Sequence, residues 1–235
     1  MPTLRYDTDS HPAEQRQAYT TARPDICALV PTSARRILDV GCSNGEVGLS
    51  LMRQIPDCEV DGIERDENLA REAVSRLHAV ACADVEDFDW TAWNPGRPYD
   101  CIIFADVLEH LCDPLRALDQ ARRRLADGGC IVVSVPNIRH LSALISIYAK
   151  GRFPRRPRGL FDRTHLRWFT LEDTDRMLAE AGFRREQRIL SLRWGDQGGG
   201  RMNRLLNRLP PAVQELAPLR EFLSYQVTLR ARPAG

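Results

Sequence analysis

The stretch Arg36-Ile37-Leu38-Asp39-Val40-Gly41-Cys42-Ser43-Asn44-Gly45-Glu46-Val47-Gly48 decides the fold. A short apolar run ends in an acid, turns through closely spaced glycines and passes into a segment with helical periodicity from Gly45 to Ile55. Glycine allows the sharp turn and leaves no Cβ in the way of a ligand lying on the backbone. Read alone, this is a strand–turn–helix unit of an α/β sheet.

Working outward, the pattern repeats. Cys58–Glu64 reads as a second strand, followed by a helix over Asp66–Leu77 in which charged and apolar residues recur at helical spacing. His78–Asp84 is a weak third strand. Tyr99–Val107 is a strong fourth strand, Leu115–Leu125 a helix that Gly128 and Gly129 close, and Cys130–Pro136 a fifth strand. Near-continuous Val, Ile and Leu in strands separated by helices predicts a parallel sheet covered on both faces. Beyond it, Ile138–Ala149 reads as a helix, Leu171–Ala181 as an amphipathic helix ended by Gly182, and Phe183–Trp194 and Glu221–Arg232 as two late strands forming a terminal hairpin.

Composition narrows the classes. The chain has 235 residues, 43% hydrophobic and 28% charged, values that fit one folded α/β domain rather than a disordered or membrane-spanning chain. Lys+Arg number 33 against 32 Asp+Glu, so net charge gives no case for duplex DNA as partner. Seven cysteines with no CxxC pair read as buried thiols in a reducing compartment. The polar N-terminus shows no signal peptide and no apolar run is long enough to cross a bilayer, so a cytoplasmic location is expected. Residues 1–34 are expected to be an N-terminal arm or lid helix, with Pro24 as the first helical residue of a short segment. Residues 35–235 are expected to be the main domain.

Four groups fall at the C-terminal ends of the predicted parallel strands, where such sheets bind ligands. They are the glycine turn, Glu64 about 20 residues later where a ribose diol is usually held, Asp84-Val85 suited to an adenine edge and face, and Asp106 with its neighbours. The glycine spacing is Gly41, Gly45, Gly48, not GxGxxG, and Asp39 stands just before the turn. A carboxylate there would repel a pyrophosphate and favour a cation. S-adenosylmethionine carries an ammonium and a sulfonium and no phosphate, so it fits better than NAD.

The segments ILDVGCSNGEVG, DGIERDE, CADVEDF and YDCIIFADVLEHL resemble the successive motifs of class I S-adenosylmethionine-dependent methyltransferases, over roughly Arg35 to Phe183. The resemblance implies a Rossmann-like, doubly wound, seven-stranded sheet, mostly parallel with an antiparallel last strand and helices on both faces. It places Asp39 and Gly41 near the aminocarboxyl end of the cofactor, Glu64 on the ribose, Asp84 and Val85 at the adenine and Asp106 at the methionine portion. With their neighbours Cys42, Ser43, Gly45, Arg65 and Val107, these are the candidate cofactor residues. Ser43 departs from the glycine found in many members.

The string Asp162-Arg163-Thr164-His165-Leu166-Arg167-Trp168-Phe169-Thr170, with Val135-Pro136-Asn137 and His140 before it, resembles a subgroup associated with cell-surface glycan assembly. It implies O-methylation of a sugar, glycan or other small hydroxylated acceptor. The alternatives are methylation of RNA or protein, or a non-catalytic cofactor-binding subunit, while an NAD-linked oxidoreductase fits least. A hydroxyl nucleophile benefits from a general base, and His110, His140 and His165 are the candidates. The structural alternatives are that His110 packs or caps its helix and that His165 pins a loop. No metal is expected, because adjacent Glu109 and His110 cannot easily face one ion from a helix.

Acceptor-site insertions are expected near residues 138–169 and 195–219. The basic run Lys150–Arg158 suits an anionic acceptor such as an acidic glycan, a lipid-linked sugar or RNA, or else is a solvated loop. Arg201, Arg204 and Arg208 alternate with Met202, Leu205, Leu206 and Leu209, as in a lid, a dimer contact or a helix resting on a membrane surface. Monomer and homodimer both remain open.

Overall fold

In the computed structural model, which describes residues 23–94, 96–196 and 200–234, the chain winds around a single seven-stranded sheet. The strands are β1 (Arg36–Val40), β2 (Glu59–Glu64), β3 (Ala79–Cys82), β4 (Tyr99–Ala105), β5 (Leu125–Pro136), β6 (Phe183–Leu192) and β7 (Ser224–Pro233). Their spatial order is β3-β2-β1-β4-β5-β7-β6. The strands β1 to β5 pair in parallel, and β7 runs antiparallel to both its neighbours. The chain leaves β1 toward β2 and β3, then crosses back to lay β4 on its other side. The crevice over the C-terminal ends of β1 and β4 is therefore the topological switch point, where an open α/β sheet takes its ligands.

The central strands are apolar on both faces because both faces are covered. Successive side chains point to opposite sides, so Leu38, Ile102 and Ile131 belong to one core while Ile37, Ile103 and Val132 belong to the other. All of these are fully buried, and each such side chain stabilises the fold by about 1.5–3 kcal/mol relative to exposure. Five of the seven cysteines, Cys27, Cys42, Cys58, Cys101 and Cys130, are buried and all seven are free thiols.

The helices are α1 (Pro24–Cys27), α2 (Glu46–Gln54), α3 (Glu67–Val74), α4 (Pro114–Arg124), α5 (Leu141–Leu144), α6 (Leu171–Glu180), α7 (Gly200–Leu206), α8 (Pro211–Gln214) and α9 (Ala217–Leu223). Their starts are marked chemically. Asp66 caps α3 by accepting from Asn68 N and Leu69 N, and Thr170 with Asp173 forms a reciprocal capping box on α6. Among the described residues no helix is long and apolar enough to cross a membrane.

Several boundaries differ from expectation. The α4 helix ends at Arg124 without glycine, and β5 begins at Leu125, so Gly128 (φ +72°) and Gly129 lie inside that strand, where its register against β4 shifts. The helix expected over Ile138–Ala149 is only α5, which widens into a π turn over Ile145–Ala149. Glu221–Leu223, expected in the last strand, complete α9. The late hairpin forms, with β7 threaded between β5 and β6. The arm or lid expected over the first twenty-odd residues falls outside the described residues up to Ala22. The α1 helix begins at Pro24 as expected, and its Ile26 is buried in the core.

Candidate active site

The turn after β1 is held by β2, since Gly41 N and Cys42 N both donate to Ile63 O, at 2.8 and 3.1 Å. At Gly41 φ is +72°, and a Cβ there would stand 2.6 Å from Val107 Cγ2. The glycine lets the β1 and β4 turns close on each other. Ser43 also adopts a left-handed conformation at φ +51°, a backbone that would favour glycine there without making serine impossible.

Glu64 ends β2 and is built into the site by backbone. Its Oε2 accepts from Ser43 N at 2.8 Å and its Oε1 from Asp66 N at 2.9 Å. Each oxygen keeps a lone pair for a hydroxyl donor. Burial raises its pKa despite those two N–H groups.

One cavity opens along the C-terminal ends of β1 to β4. Gly41, Ser43, Glu64, Arg65, Asp84, Val85, Asp106, Val107 and His110 all line it. The other lining residues, Ile63, Asp66, Leu69, Ala83, Ala105 and Leu111, are flanking positions in the same motifs. Three expected cofactor residues lie outside the wall. Gly45 (φ +82°) starts α2, and Cys42 is buried with its sulfur against the Gly62 backbone. Asp39 is 1% exposed. Its Oδ1 has no hydrogen-bond partner, and burial together with the Glu64 charge pushes its pKa up to about 7. A buried acceptor with nothing to accept from is what a cationic ligand head would complete.

Asp106 has φ +59° and is held by residues far from it along the chain. Its carboxylate takes hydrogen bonds from Arg23 Nη1 and from Gln226 Nε2 on β7. Arg23 also meets Asp25 (3.0 and 2.8 Å) and Ser134 Oγ (2.7 Å). Burial alone would lower the Arg23 pKa, but Asp106 and Asp25 outweigh it and hold the proton more firmly than usual. These contacts span 83 and 120 residues of chain, and no local pattern announces them.

The three histidines separate. His140 is fully buried and caps α5, with Nδ1 accepting from Ser142 N and Nε2 2.9 Å from Arg193 O. A carbonyl only accepts, so both nitrogens are committed and His140 does not reach the cavity. His110 lines the cavity, and its Nδ1 lies 3.2 Å from Thr164 O, which places the proton on Nδ1 and the lone pair on Nε2. Burial and the neighbouring His165 lower its pKa to about 4. His165 sits behind His110, ring centroids 4.8 Å apart, and does not line the cavity.

The expectation that Glu109 and His110 cannot easily face one ion assumed an α-helix. They lie in a 3-10 turn, Leu108–His110, not in an α-helix. The turn accepts the distinctive loop through Leu166 N and Arg167 N on Glu109 O. This brings His165 up to the pair, so that one ligand atom from each of Glu109, His110 and His165 lies within 4.8 Å of the others.

The basic run is exposed and partly engaged within the chain. Arg156 pairs with Asp196, and Arg155 Nη2 donates to Arg163 O at 2.9 Å. Arg201, Arg204 and Arg208 are exposed, as are Met202 and Leu205, while Leu206 packs against the core.

Comparison with known proteins gives the family and the fold. A family model described as a methyltransferase domain matches residues 13–187. The chain belongs to that methyltransferase-domain family. Trans-aconitate 2-methyltransferase of Methylobacterium nodulans is 32% identical over 119 residues, 50% of this chain and 45% of that protein. Ubiquinone biosynthesis O-methyltransferase of Xylella fastidiosa is 34% identical over 137 residues, 55% of this chain and 54% of its own length. The chain thus spans about half the length of these curated relatives. In fold it is similar to a SAM-dependent methyltransferase from Archaeoglobus fulgidus, with TM-score 0.58, 21% identity and 94% of each chain covered. It is also similar to the plantazolicin methyltransferase solved in complex with a monoazolic desmethylPZN analogue and SAH, with TM-score 0.58 and 18% identity, covering 98% of this chain and 88% of that one.

Proposed function

We propose that this protein is an S-adenosylmethionine-dependent methyltransferase acting on an oxygen of a small hydroxylated acceptor. The observation that carries the cofactor assignment is the pair of carboxylates at the ends of β1 and β2. Glu64 offers two oriented oxygens to a ribose diol, and Asp39 keeps an unpartnered buried oxygen for positive charge. Asp84 and Val85 would meet the adenine, and Asp106 would serve the methionine portion from the opposite wall. Arg23, bonded to Asp106, would fix the orientation of that carboxylate for this role.

Bound there, the cofactor would supply an electrophilic methyl group on a sulfonium. The chain's own contribution is alignment, from a rigid rim of strand ends that holds donor and acceptor in line. His110 is the one of the three candidate histidines on the cavity wall, and it is neutral at neutral pH. With a pKa near 4 it is a weak proton acceptor, better suited to orienting an acceptor oxygen than to deprotonating it alone.

A sugar or glycan acceptor is the finer form of the proposal. The exposed arginines of residues 150–158 favour an anionic one, and a cytoplasmic location suits the free thiols. Residues 138–169 and 195–219, between β5 and α6 and between β6 and β7, are where an acceptor would be selected.

Calorimetric titration with S-adenosylmethionine and with NAD tests the assignment. Micromolar binding of the former alone, weakened at least about 100-fold by Glu64→Ala (about 2.7 kcal/mol at 1.4 kcal/mol per decade), supports it. Absence of S-adenosylmethionine binding refutes it.

A further inference from the structure

We propose that Glu109, His110 and His165 form a binding site for a divalent transition-metal ion at the wall of the cofactor cavity. Their convergence is a tertiary event, since the 3-10 turn supplies two of the residues and the Asp162–Thr170 loop the third. Glu109 is 1% exposed, and neither of its carboxylate oxygens has a hydrogen-bond partner. A buried carboxylate left this way is costly unless protonated or met by positive charge. The residue facing it is His165, whose Nε2 lies 4.0 Å from Glu109 Oε1. That is too long for a hydrogen bond and leaves a gap between the two groups.

His110 is oriented for the task. His110 Nδ1 is turned onto Thr164 O at 3.2 Å, with Thr164 Oγ1 at 3.1 Å, and Thr164 Oγ1 is itself fixed on Asp162 Oδ1 at 2.7 Å. A ring nitrogen tied to a carbonyl, with the other free to bind, is the outer-shell arrangement typical of a metal-ligating histidine. Ligand atoms about 2.1 Å from one ion lie roughly 3–3.5 Å from each other, so binding would draw in the widest pair of the trio, now within 4.8 Å, by roughly 1.5 Å. Two imidazoles and one carboxylate suit Zn²⁺, Fe²⁺ or Mn²⁺ better than Mg²⁺ or Ca²⁺, which prefer all-oxygen shells. Three protein ligands leave positions open, and because His110 lines the cavity an ion held there would stand where an acceptor oxygen could complete its shell. That last role rests on the methyltransferase reading, but the binding of the ion does not.

The competing arrangement is a neutral Glu109 carboxyl beside two packed neutral imidazoles, which binds no ion. Chelator-stripped full-length protein is titrated with Zn²⁺ by calorimetry and with Co²⁺ by visible absorption, beside Glu109→Gln and His165→Gln. S-adenosylhomocysteine binding is measured on the same samples. The expected result is one ion per chain, with ligand-field absorption from cobalt. Affinity should fall about 100-fold or more in each variant, with S-adenosylhomocysteine binding retained. No saturable binding by the wild type overturns the site whether or not the variants fold. Ion binding unchanged in both variants does so too. Loss of S-adenosylhomocysteine binding in the wild type would instead strike the cofactor assignment and leave the metal titration to be judged separately.

Discussion

Asp39 shows how one side chain couples stability, pH and ligand. Its proton is held until about pH 7, against an unfolded value near 3.9. Between those values the native state binds more protons than the unfolded chain, so stability falls as pH rises and levels off above 7. The span corresponds to an order of 4 kcal/mol at about 1.4 kcal/mol per unit. We expect Asp39→Asn to flatten this dependence, read as the difference in urea midpoint between pH 5 and pH 8 in variant and wild type. A cationic ligand favours the ionised carboxylate, so cofactor affinity should rise over the same interval in the wild type only. Ser43 makes a separate case. Its left-handed φ of +51° suits glycine, so Ser43→Gly should raise stability by up to about 1 kcal/mol in thermal unfolding. Arg23→Ala should weaken cofactor binding about tenfold or more in calorimetry, by removing the partner of Asp106.

Among the elements, packing at the glycines sets what can be changed. A Cβ on Gly62 would lie 2.5 Å from Cys42 Sγ and 2.8 Å from Leu77 Cδ1. Gly62→Ala should therefore cost about 1–3 kcal/mol by wedging β2 away from the glycine turn, with cofactor affinity falling alongside. Thr170→Ala, which dismantles the capping box of α6, should cost about 1 kcal/mol and leave cofactor binding intact. Denaturant titration combined with calorimetry separates the two cases. The elements also show what could be read in advance. Strands β1, β4 and β5 are legible because burial on both faces leaves an unbroken apolar run, and Glu64, Asp84 and Asp106 because each stands at or just past the C-terminal end of its strand. The end of α4 was misjudged because Gly128 and Gly129 resemble a helix stop, while here they serve a strand whose pairing shifts. Nor was the convergence of Glu109 with His165 legible, because it depends on a loop more than 50 residues away folding back on a 3-10 turn.

At the scale of the whole molecule, the cavity rim is assembled from four strand ends and closed by distant segments. Arg23 comes from the residue before α1 and Gln226 from β7, and both hold Asp106. Local motifs line the cavity, while the segments between β5 and α6 and between β6 and β7, which depart most from a plain α/β repeat, are where we propose an acceptor is chosen. The curated relatives match this chain over about half of their own length. For that reason their names bear on the type of chemistry more than on the molecule being methylated.

The position of β7 has a consequence for synthesis. Strand β6 pairs with β7 alone, and β7 fills the gap beside β5. A growing chain that has reached Leu192 therefore carries an open sheet edge at β5, with Val133 and Val135 on the uncovered strand, and a following strand with nothing to join. Released chains that stop before Ser224 should be digested rapidly by protease in β6, and those that include β7 should resist. Until β7 inserts, the folding chain presents a sticky edge, which makes that insertion the step at which this protein most needs a chaperone.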